Sequence, residues 1–442
     1  MHTRILLSAA FFFLALGHAN GQLLISNRSD ENGLAQISLH DPATGELQRV
    51  VVGGTPDSNG GLIFPSAMTI GPNDELFVST QLGTILRYDL ESGDFLGQFA
   101  ADLPLPSGLL FDEDTNSLFV TTLGNFNSEI TLQYDATSGE LISQLGEGSG
   151  ATGRGSIVEG PDGNMYISSF ANGEFFLGEV LQLNAESLET TPFASNPLLG
   201  LAGASGLTFH QADEGYLLDV VGLFSNNVVR FSVSETDGVL SVPDPFGSSS
   251  VLISEGLDFP SAILPLGDGT MLVTNLGNDN PDTGPLRPGS IGRYDVASGE
   301  FIETYLGPES GIPQPNALLL LSVVGDCNGD GVVDAADLAC ACATGELESV
   351  LETLDLVAGD FNADGEVEFA DFLILSDNYN QAASYVEGDA DCSGEVDFAD
   401  FLVLSRNYGL TSGGVAAAVP EPSSAGLALL AVVSTLAFRR RR

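Results

Sequence analysis

The stretch PSAMTIGPNDELFVSTQLGTILRYDLESGDFLGQF, residues 65–99, decides the fold. It holds four short runs rich in β-branched and aromatic residues, separated by Gly, Asp and Ser. Such runs are strands, and a Ser-Gly pair such as that in ESGD (91–94) marks a hairpin. The pattern recurs. PSGLLFDEDTNSLFVTT begins at Pro106 and PSAILPLGDGTMLVTN at Pro260, with looser copies GSIVEGPDGNMYISS from Gly155 and ASGLTFHQADEGYLLD from Ala204. Each continues into a third strand: ILRYD at Ile85, TLQYD at Thr131, VLQLN at Val180, VVRFS at Val228 and IGRYD at Ile291. Turns such as TSGE (137–140) and ASGE (297–300) then lead to a fourth. Four strands in each unit of roughly 40–55 residues is the pattern of a β-propeller.

The two ends of this region predict how the ring closes. PNALLLL (315–321) matches only the first strand of a unit. LLISN from Leu23, LAQISLH from Leu34 and LQRVVV from Leu47 supply the other three. The ends then share one blade, which makes six blades over residues 22–324 and leaves no free sheet edge.

Aligning the units places Ser66, Ser107, Ser156, Ser205, Ser261 and Asn316 together at the start of the innermost strand. They are expected to form a polar ring near one mouth of the channel, where six crowded strands need small residues. Hydroxyls and one amide are poor ligands for a divalent ion. Beyond the first 21 residues the only histidines are His40 and His210, in different blades and without an evident partner. No nucleophile elbow, phosphate loop or HExxH pattern occurs.

The repeat resembles the six-bladed NHL and gluconolactonase-like propellers over about 300 residues. The resemblance implies the fold. It also implies that a catalytic member would carry acidic and amide metal ligands where this chain has its serine ring. Virginiamycin-lyase-like propellers rely on a catalytic His that neither His40 nor His210 matches.

A second pattern occurs three times near the C-terminus: DCNGDGVVDAAD (326–337), DFNADGEVEFAD (360–371) and DADCSGEVDFAD (389–400). Oxygen-bearing side chains fill positions 1, 3, 5, 9 and 12 of each 12-residue loop, and Gly331, Gly365 or Gly394 stands at position 6. Ca2+ is a hard cation that takes several oxygens, and a loop can wrap it only by turning sharply at its middle. The expected ligands are Asp326, Asn328, Asp330, Asp334 and Asp337; Asp360, Asn362, Asp364, Glu368 and Asp371; and Asp389, Asp391, Ser393, Asp397 and Asp400. The backbone carbonyls of Val332, Glu366 and Glu395 add position 7. Ser393 is the weakest donor of the set. Each loop leads into one helix (DLACACA, DFLILSDNY, DFLVLSRNY), and position 12 is Asp rather than the Glu of ordinary EF-hands. A loop with a single following helix and a terminal Asp resembles the type I dockerin module. That resemblance implies a cohesin-like protein partner, met through Phe369-Ala370 and Phe398-Ala399. Phe372 and Phe401 are expected in the core. Three loops, rather than the usual two, depart from the dockerin pattern.

All four cysteines lie in this region. Two disulfides are expected, with Cys327 and Cys392 pairing separately with Cys340 and Cys342 in an order the sequence leaves open. The chain carries 60 acidic residues against 13 arginines and no lysine, a net charge of −47. Such a field repels nucleic acid and anionic lipid. Arg4, the apolar run 5–16 and the small residues around Ala19 and Gly21 predict a secretory signal peptide over residues 1–21. At the other end, Pro420-Glu421-Pro422 precedes a 14-residue, largely apolar stretch (425–438) and four arginines. The stretch is short of the about 20 residues of a membrane span. The tripartite tail resembles the PEP-CTERM sorting signal, which implies processing by an exosortase and membrane contact through the tail beforehand.

The sequence therefore predicts a mainly β chain, a six-bladed β-propeller followed by a small α-helical, dockerin-like (EF-hand-like) domain. Its parts are a signal peptide (1–21), the propeller (22–324), the module with three calcium loops (325–412), and a linker with the sorting tail (413–442). The expected function is an exported, surface-associated calcium-binding protein, with recognition by the propeller and attachment by the module. Its partner is a cohesin-like protein or an extracellular polysaccharide, with no nucleic acid. The alternative is an extracellular polysaccharide- or lactone-active enzyme carried by the propeller and tethered through the module.

Overall fold

The structure is a computed structural model and describes residues 22–28, 34–124, 130–145, 151–172, 177–212, 215–236, 238–244, 249–277, 287–321, 325, 327 and 333–411. The expected signal peptide and sorting tail lie outside them. The chain divides into two compact units between Leu321 and Ser322. Among the described residues, no helix is long and apolar enough to cross a membrane.

The first unit is a six-bladed β-propeller. Blade one runs Pro315–Leu321, Gln22–Asn27, Gln36–His40 and Leu47–Val52 in hydrogen-bonded order, so the two ends of the unit share it as expected. Blade two is Pro65–Ile70, Glu75–Thr80, Thr84–Asp89 and Phe95–Ala100. Blade three is Pro106–Asp112, Ser117–Thr122, Thr131–Asp135 and Leu141–Leu145. Blade four is Ala151–Glu159, Met165–Asn172, Glu179–Leu183 and Thr190–Ala194. In blade five, Ala204–Gln211 and Tyr216–Gly222 lead to a long strand Asn227–Thr236. That strand pairs with Ser249–Ile253 and, near its end, with a short strand Val239–Ser241. Blade six is Pro260–Pro265, Thr270–Asn275, Ser290–Asp295 and Phe301–Leu306. The second strands are nearly continuous apolar runs, as strands buried on both faces must be. Leu76, Val78, Leu118, Val120, Ile167, Leu218, Val220, Leu272 and Val273 are all fully buried.

Between third and fourth strands an Asp accepts the backbone N–H three residues on: Ser92 N to Asp89 Oδ1 at 2.7 Å, Ser138 N to Asp135 Oδ1 at 2.6 Å and Ser298 N to Asp295 Oδ1 at 2.8 Å. These bonds hold Asp89 and Asp135 below the ordinary aspartate range, and at Asp295 the Ser298 hydroxyl does so first and the backbone bond second.

The second unit has its own core around Phe361, Val367, Leu375, Tyr385, Val396 and Leu404. Two disulfides, Cys327–Cys340 and Cys342–Cys392, settle the pairing the sequence left open. The helices Phe369–Asp377 and Phe398–Asn407 follow the second and third loops and pack on each other. The two halves are exchanged. Val367 of the second loop bonds the chain after the later helix, with Val367 N to Leu410 O at 3.0 Å and Gly409 N to Val367 O at 2.8 Å. Val396 of the third loop bonds the chain after the earlier helix, with Asn380 N to Val396 O at 2.8 Å and Val396 N to Gln381 O at 3.0 Å. Gly359 and Gly388, just before the two loops, have φ of 101° and 113°. A Cβ at Gly359 would stand 3.2 Å from Leu404 Cα, and one at Gly388 2.9 Å from Leu375 Cα. Each loop thus begins against the other loop's helix, at a spot where only glycine fits.

Candidate functional site

The second and third 12-residue loops put positions 1 and 12 inside and the other expected ligand positions at the lip. Asp360 and Asp371 are 0 % exposed, as are Asp337 and Asp400, and Asp389 is 1 % exposed. Asn362, Asp364, Glu368, Asp391, Ser393 and Asp397 are exposed, with Glu366 and Glu395. The position-12 carboxylate ties the loop's ends together. Asp371 accepts Phe361 N at 2.8 Å on one oxygen and Glu368 N at 2.8 Å on the other. Asp400 does the same with Ala390 N and Asp397 N, both at 2.7 Å. The position-1 carboxylate spans the turn. Asp360 accepts Asp364 N at 3.2 Å and Gly365 N at 2.9 Å; Asp389 accepts Ser393 N at 3.0 Å and Gly394 N at 2.9 Å. Gly365 and Gly394 turn there with φ of 90° and 86°.

Position 9 begins the helix. Glu368 and Asp397 are the N-caps and exchange bonds with Asp371 and Asp400 in a reciprocal capping box. The loop geometry and the helix start are therefore one device. Two backbone bonds leave Asp360 and Asp389 with about half of their lone-pair sites for a cation, while three backbone bonds leave Asp371 and Asp400 with about a quarter. In the third loop, carboxylate oxygens of Asp389, Asp391 and Asp400 lie within 4.8 Å of one another. Burial, and behind it neighbouring carboxylates, pushes Asp360 and Asp400 above the ordinary aspartate range. At positions 1, 3, 5, 9 and 12 of the second and third loops every side chain carries oxygen, the donor type that suits Ca2+. Ser393 donates its hydroxyl to Glu395 O at 3.1 Å, the position-7 carbonyl. Of the first loop, Asp334 and Asp337 are described and repeat the pattern, with Asp334 N to Asp337 Oδ2 at 2.8 Å. Asp326, Asn328, Asp330 and Val332 lie outside the described residues.

Beside the loops, Phe369 and Phe398 are 58 % and 60 % exposed, while Phe372 and Phe401 are partly buried against the core. The rings stack in matching pairs, Phe369 on Phe372 and Phe398 on Phe401, with centroids 5.8 Å apart in both.

The propeller's polar ring exists, with a different role and one substituted member. At the start of each first strand the register slips by one residue, a β-bulge. The bulged residue turns its side chain to the next blade. Asn316 Nδ2 donates to Pro65 O at 2.7 Å, Ser66 to Pro106 O at 2.7 Å and Ser107 to Arg154 O. Ser205 donates to Ser261 O at 2.7 Å, and Ser261 to Asn316 O at 3.0 Å. In blade four the register places Gly155, not Ser156, at the ring position, because Arg154 pairs with Ser169 and Ile157 with Ile167. Ser168, on the second strand, supplies the missing bond to Ser205 O. A Cβ at Gly155 would stand 2.6 Å from that hydroxyl. The ring is thus a closed circuit that staples six blades at about 1 kcal/mol per bond. A second set, Ser79, Ser168, Thr274 and Ser26, accepts the backbone N–H that each bulge frees, from Ala67, Ser156, Ala262 and Ala317 at 2.8–3.0 Å. The signal was in the sequence, as the hydroxyl residues of FVST, ISSF, LVTN and LISN.

Two cavities of about 310 Å³ share Ser66, Ser107, Ser261 and Asn316 and so lie on either side of the ring. The inner one, lined by the first strands, has a single acid, Glu159. The outer one is walled by one residue from each blade, at or just after the end of the second strand: Arg28, Gln81, Leu123, Phe170, Leu223 and Leu276. No sequence pattern had singled these out.

No family model and no curated protein matches the chain. Among solved structures, a protein named as a candidate gluconolactonase superposes with a TM-score of 0.43 at 12 % identity, over 57 % of this chain and 80 % of that one. The periplasmic gluconolactonase of Pseudomonas aeruginosa gives 0.42 at 18 %, over 69 % and 99 %. Hydrazine synthase of Kuenenia stuttgartiensis gives 0.38 at 15 %, over 53 % and 64 %. At such overlap the likenesses say nothing of activity, and the propeller rests on its own strand order.

Both histidines, expected to lack partners, have them. His40 is buried at the end of its strand, with Nδ1 3.0 Å from Gly45 O and Nε2 2.9 Å from Ser38 Oγ. Burial holds its pKa below the ordinary histidine value, opposed by the bond to Gly45. His210 Nε2 lies 2.8 Å from Asp219 Oδ2, whose carboxylate also takes Arg230 in a bidentate pair at 2.7 and 2.6 Å.

Proposed function

We propose that this is an exported calcium-binding protein in which the propeller serves recognition and a dockerin-like module serves attachment. One observation carries the calcium part: paired position-1 and position-12 aspartates are closed off from water inside the second and third loops, whose other candidate ligands are oxygen-bearing side chains. Carboxylates are not left ionised in such a place without a cation. Asp360, Asn362, Asp364, Glu366, Glu368 and Asp371 would hold one ion and Asp389, Asp391, Ser393, Glu395, Asp397 and Asp400 another, with the first loop taking a third. Attachment rests on the exposed Phe369 and Phe398, two equivalent apolar steps that suit a cohesin-like protein partner. Export rests on the leader and the sorting tail, which an exosortase would process. Calorimetric titration of the full chain tests the reading. Calcium should bind at two or three sites per chain, with Asp371→Asn and Asp400→Asn each removing about one. No heat up to millimolar calcium, or a double variant titrating like the parent, would sink it.

The enzyme reading has one observation in its favour. His210 Nε2 stands 2.8 Å from buried Asp219 without hydrogen-bond geometry and opens, with Glu159, onto a surface groove. Arg230 already neutralises that carboxylate, which weakens it as a support for a cationic imidazole. The expected result is no lactone or polysaccharide turnover above background. Turnover abolished by His210→Ala would promote this reading.

A further inference from the structure

Each disulfide of the small module has one end inside a 12-residue loop, Cys327 at position 2 of the first and Cys392 at position 4 of the third. Cys392 stands between two expected ligands, Asp391 at position 3 and Ser393 at position 5. Its partner, Cys342, lies on the short helix Ala341–Thr344 that follows the first loop. Cys342 Sγ is 3.8 Å from the carbonyl oxygen of Asp389, the position-1 residue. The bridge therefore ties the lip of the third loop, beside positions 1, 3 and 5, to a separate element.

The second loop has the same shape without a bridge. Its position 4 is Ala363, with φ of 55° against 57° at Cys392, and its position 6 is Gly365, with φ of 90° against 86° at Gly394. Both loops have buried aspartates at positions 1 and 12 and the same capping box. They differ at the lip. The second loop is held there by its own ligands. Asn362 Nδ2 donates to Asp364 Oδ2 and Asp364 N to Asn362 Oδ1, both at 3.0 Å, and Glu366 N donates to Asp364 Oδ1 at 3.1 Å. The third loop keeps Ser393 N to Asp391 Oδ1 at 3.2 Å, but it has a hydroxyl where the second has the Asp364 carboxylate, and that hydroxyl turns to Glu395 O. The weaker donor and the covalent tether thus occur in the same loop. A tether that holds a loop in its bound shape raises affinity by removing the cost of ordering it. This tether is within reach of a reductant: Cys342 and Cys392 are half-buried, with Ala343, Asp391 and Ser393 exposed next to them.

We infer that Cys342–Cys392 is a thiol–disulfide switch on the third calcium loop. Closed, it holds the loop ready for the ion; opened by a dithiol, it weakens that site and spares the second. One thiolate of the dithiol attacks a bridge sulfur, and its other thiol then displaces the mixed disulfide. The bridge takes up two electrons and two protons and becomes two thiols, while the dithiol is oxidised to a cyclic disulfide. The third loop also caps the helix Phe398–Asn407, so the switch acts on Phe398 and leaves Phe369 to the second loop. The inference rests on the calcium reading above and deepens its attachment half.

The test uses the full chain, calcium and dithiothreitol. Linked equilibria are reciprocal, with couplings typically about 5- to 150-fold. Calcium should therefore raise, by a factor in that range, the ratio of reduced to oxidised dithiothreitol needed to open Cys342–Cys392, read by alkylation of each cysteine and mass spectrometry. Asp400→Asn should remove this protection and Asp371→Asn should keep it. In calorimetry, the double variant Cys342→Ala/Cys392→Ala, which gives the third loop the alanine of the second, should lower calcium affinity at one site by the same factor. Helical circular dichroism at saturating calcium checks that this variant is folded; where it is not, reduction of the unaltered bridge decides alone. Equal reduction with and without calcium would overturn the inference. Equal loss of protection in Asp371→Asn and Asp400→Asn would do so too, since it marks stabilisation of the module as a whole, as would a folded double variant with unchanged affinities. A chain that takes up no calcium fails the calcium reading itself; one that binds calcium while the bridge ignores it fails this inference alone.

Discussion

Chelation of calcium should remove most of the chain's helical circular dichroism, and calcium should restore it. All the described α-helices lie in the small module, at Ala341–Thr344, Leu347–Thr353, Phe369–Asp377 and Phe398–Asn407, so the signal near 222 nm reports on that module even in the full chain. Its core is small, and five nearly inaccessible aspartates sit within it. Burial raises two of them, Asp360 and Asp400, above the ordinary aspartate range, so ionising them without a cation is costly. An ion present at about 1,000 times its dissociation constant contributes about 4 kcal/mol per site. Two such sites approach the whole stability of a domain, about 5–15 kcal/mol. The Cys342–Cys392 bridge closes a loop with a sequence separation of 50, worth about 4 kcal/mol against the unfolded chain. Chelation with the bridges reduced should therefore give the fuller loss. Magnesium should recover less of the signal, because it demands a rigid octahedral site. Asp371→Asn and Asp400→Asn should mimic chelation in part. Ser393→Ala should change little, since its hydroxyl is spent on Glu395 O. A spectrum indifferent to chelator, with bridges intact or reduced, would refute the prediction.

The propeller was legible because its information is periodic. Strand runs and their Asp-x-Ser-Gly turns recur, and even the shared blade could be read from PNALLLL and LLISN. What was missed falls where period gives way to position. A bulge adds one residue without altering the look of the sequence, so Ser156 seemed to align with Ser66 while the register gives that place to Gly155. The wall of the mouth comes from one residue per blade, at or just after the end of the second strand, where three blades have Leu and the others Arg, Gln and Phe. Arg28 and Leu276 are equivalent by place in the fold and by nothing else. The partner of His210 was hidden for the same reason, since Asp219 and Arg230 belong to the two following strands and meet it only across the sheet. In the module the recurrence of the 12-residue loops and their helices was plain, but not the exchange of halves, which depends on which residue each loop meets after the other loop's helix.

Removing the last strand of the ring should abolish the folded propeller outright. Pro315–Leu321 pairs with Gln22–Asn27 across Leu23–Leu320, Leu24–Leu319 and Ile25–Leu318, far apart in sequence. Two links of the stapling circuit pass through it, Ser261 to Asn316 O and Asn316 to Pro65 O. Two more bonds hold the approach, Gln314 N to Asn27 Oδ1 at 2.9 Å and Arg28 N to Gln314 O at 3.0 Å. A chain ending at Gly311 would strip these partners at once, and each buried polar group left unsatisfied costs about 1–3 kcal/mol. Leu319 and Leu321 would also leave the core they pack against. The sum is comparable to the about 5–15 kcal/mol that holds a domain together. The strand left at the edge reads LLIS, apolar and uncharged, the kind that pairs with other chains. The chain ending at Gly311 should therefore be found in aggregates, while one ending at Gly325 should be a soluble monomer with a cooperative melt. The single variant Asn316→Ala separates stapling from edge capping: it should melt lower than its parent yet remain monomeric. If the two truncated chains behave alike in gel filtration and melting, the shared blade does not close the ring.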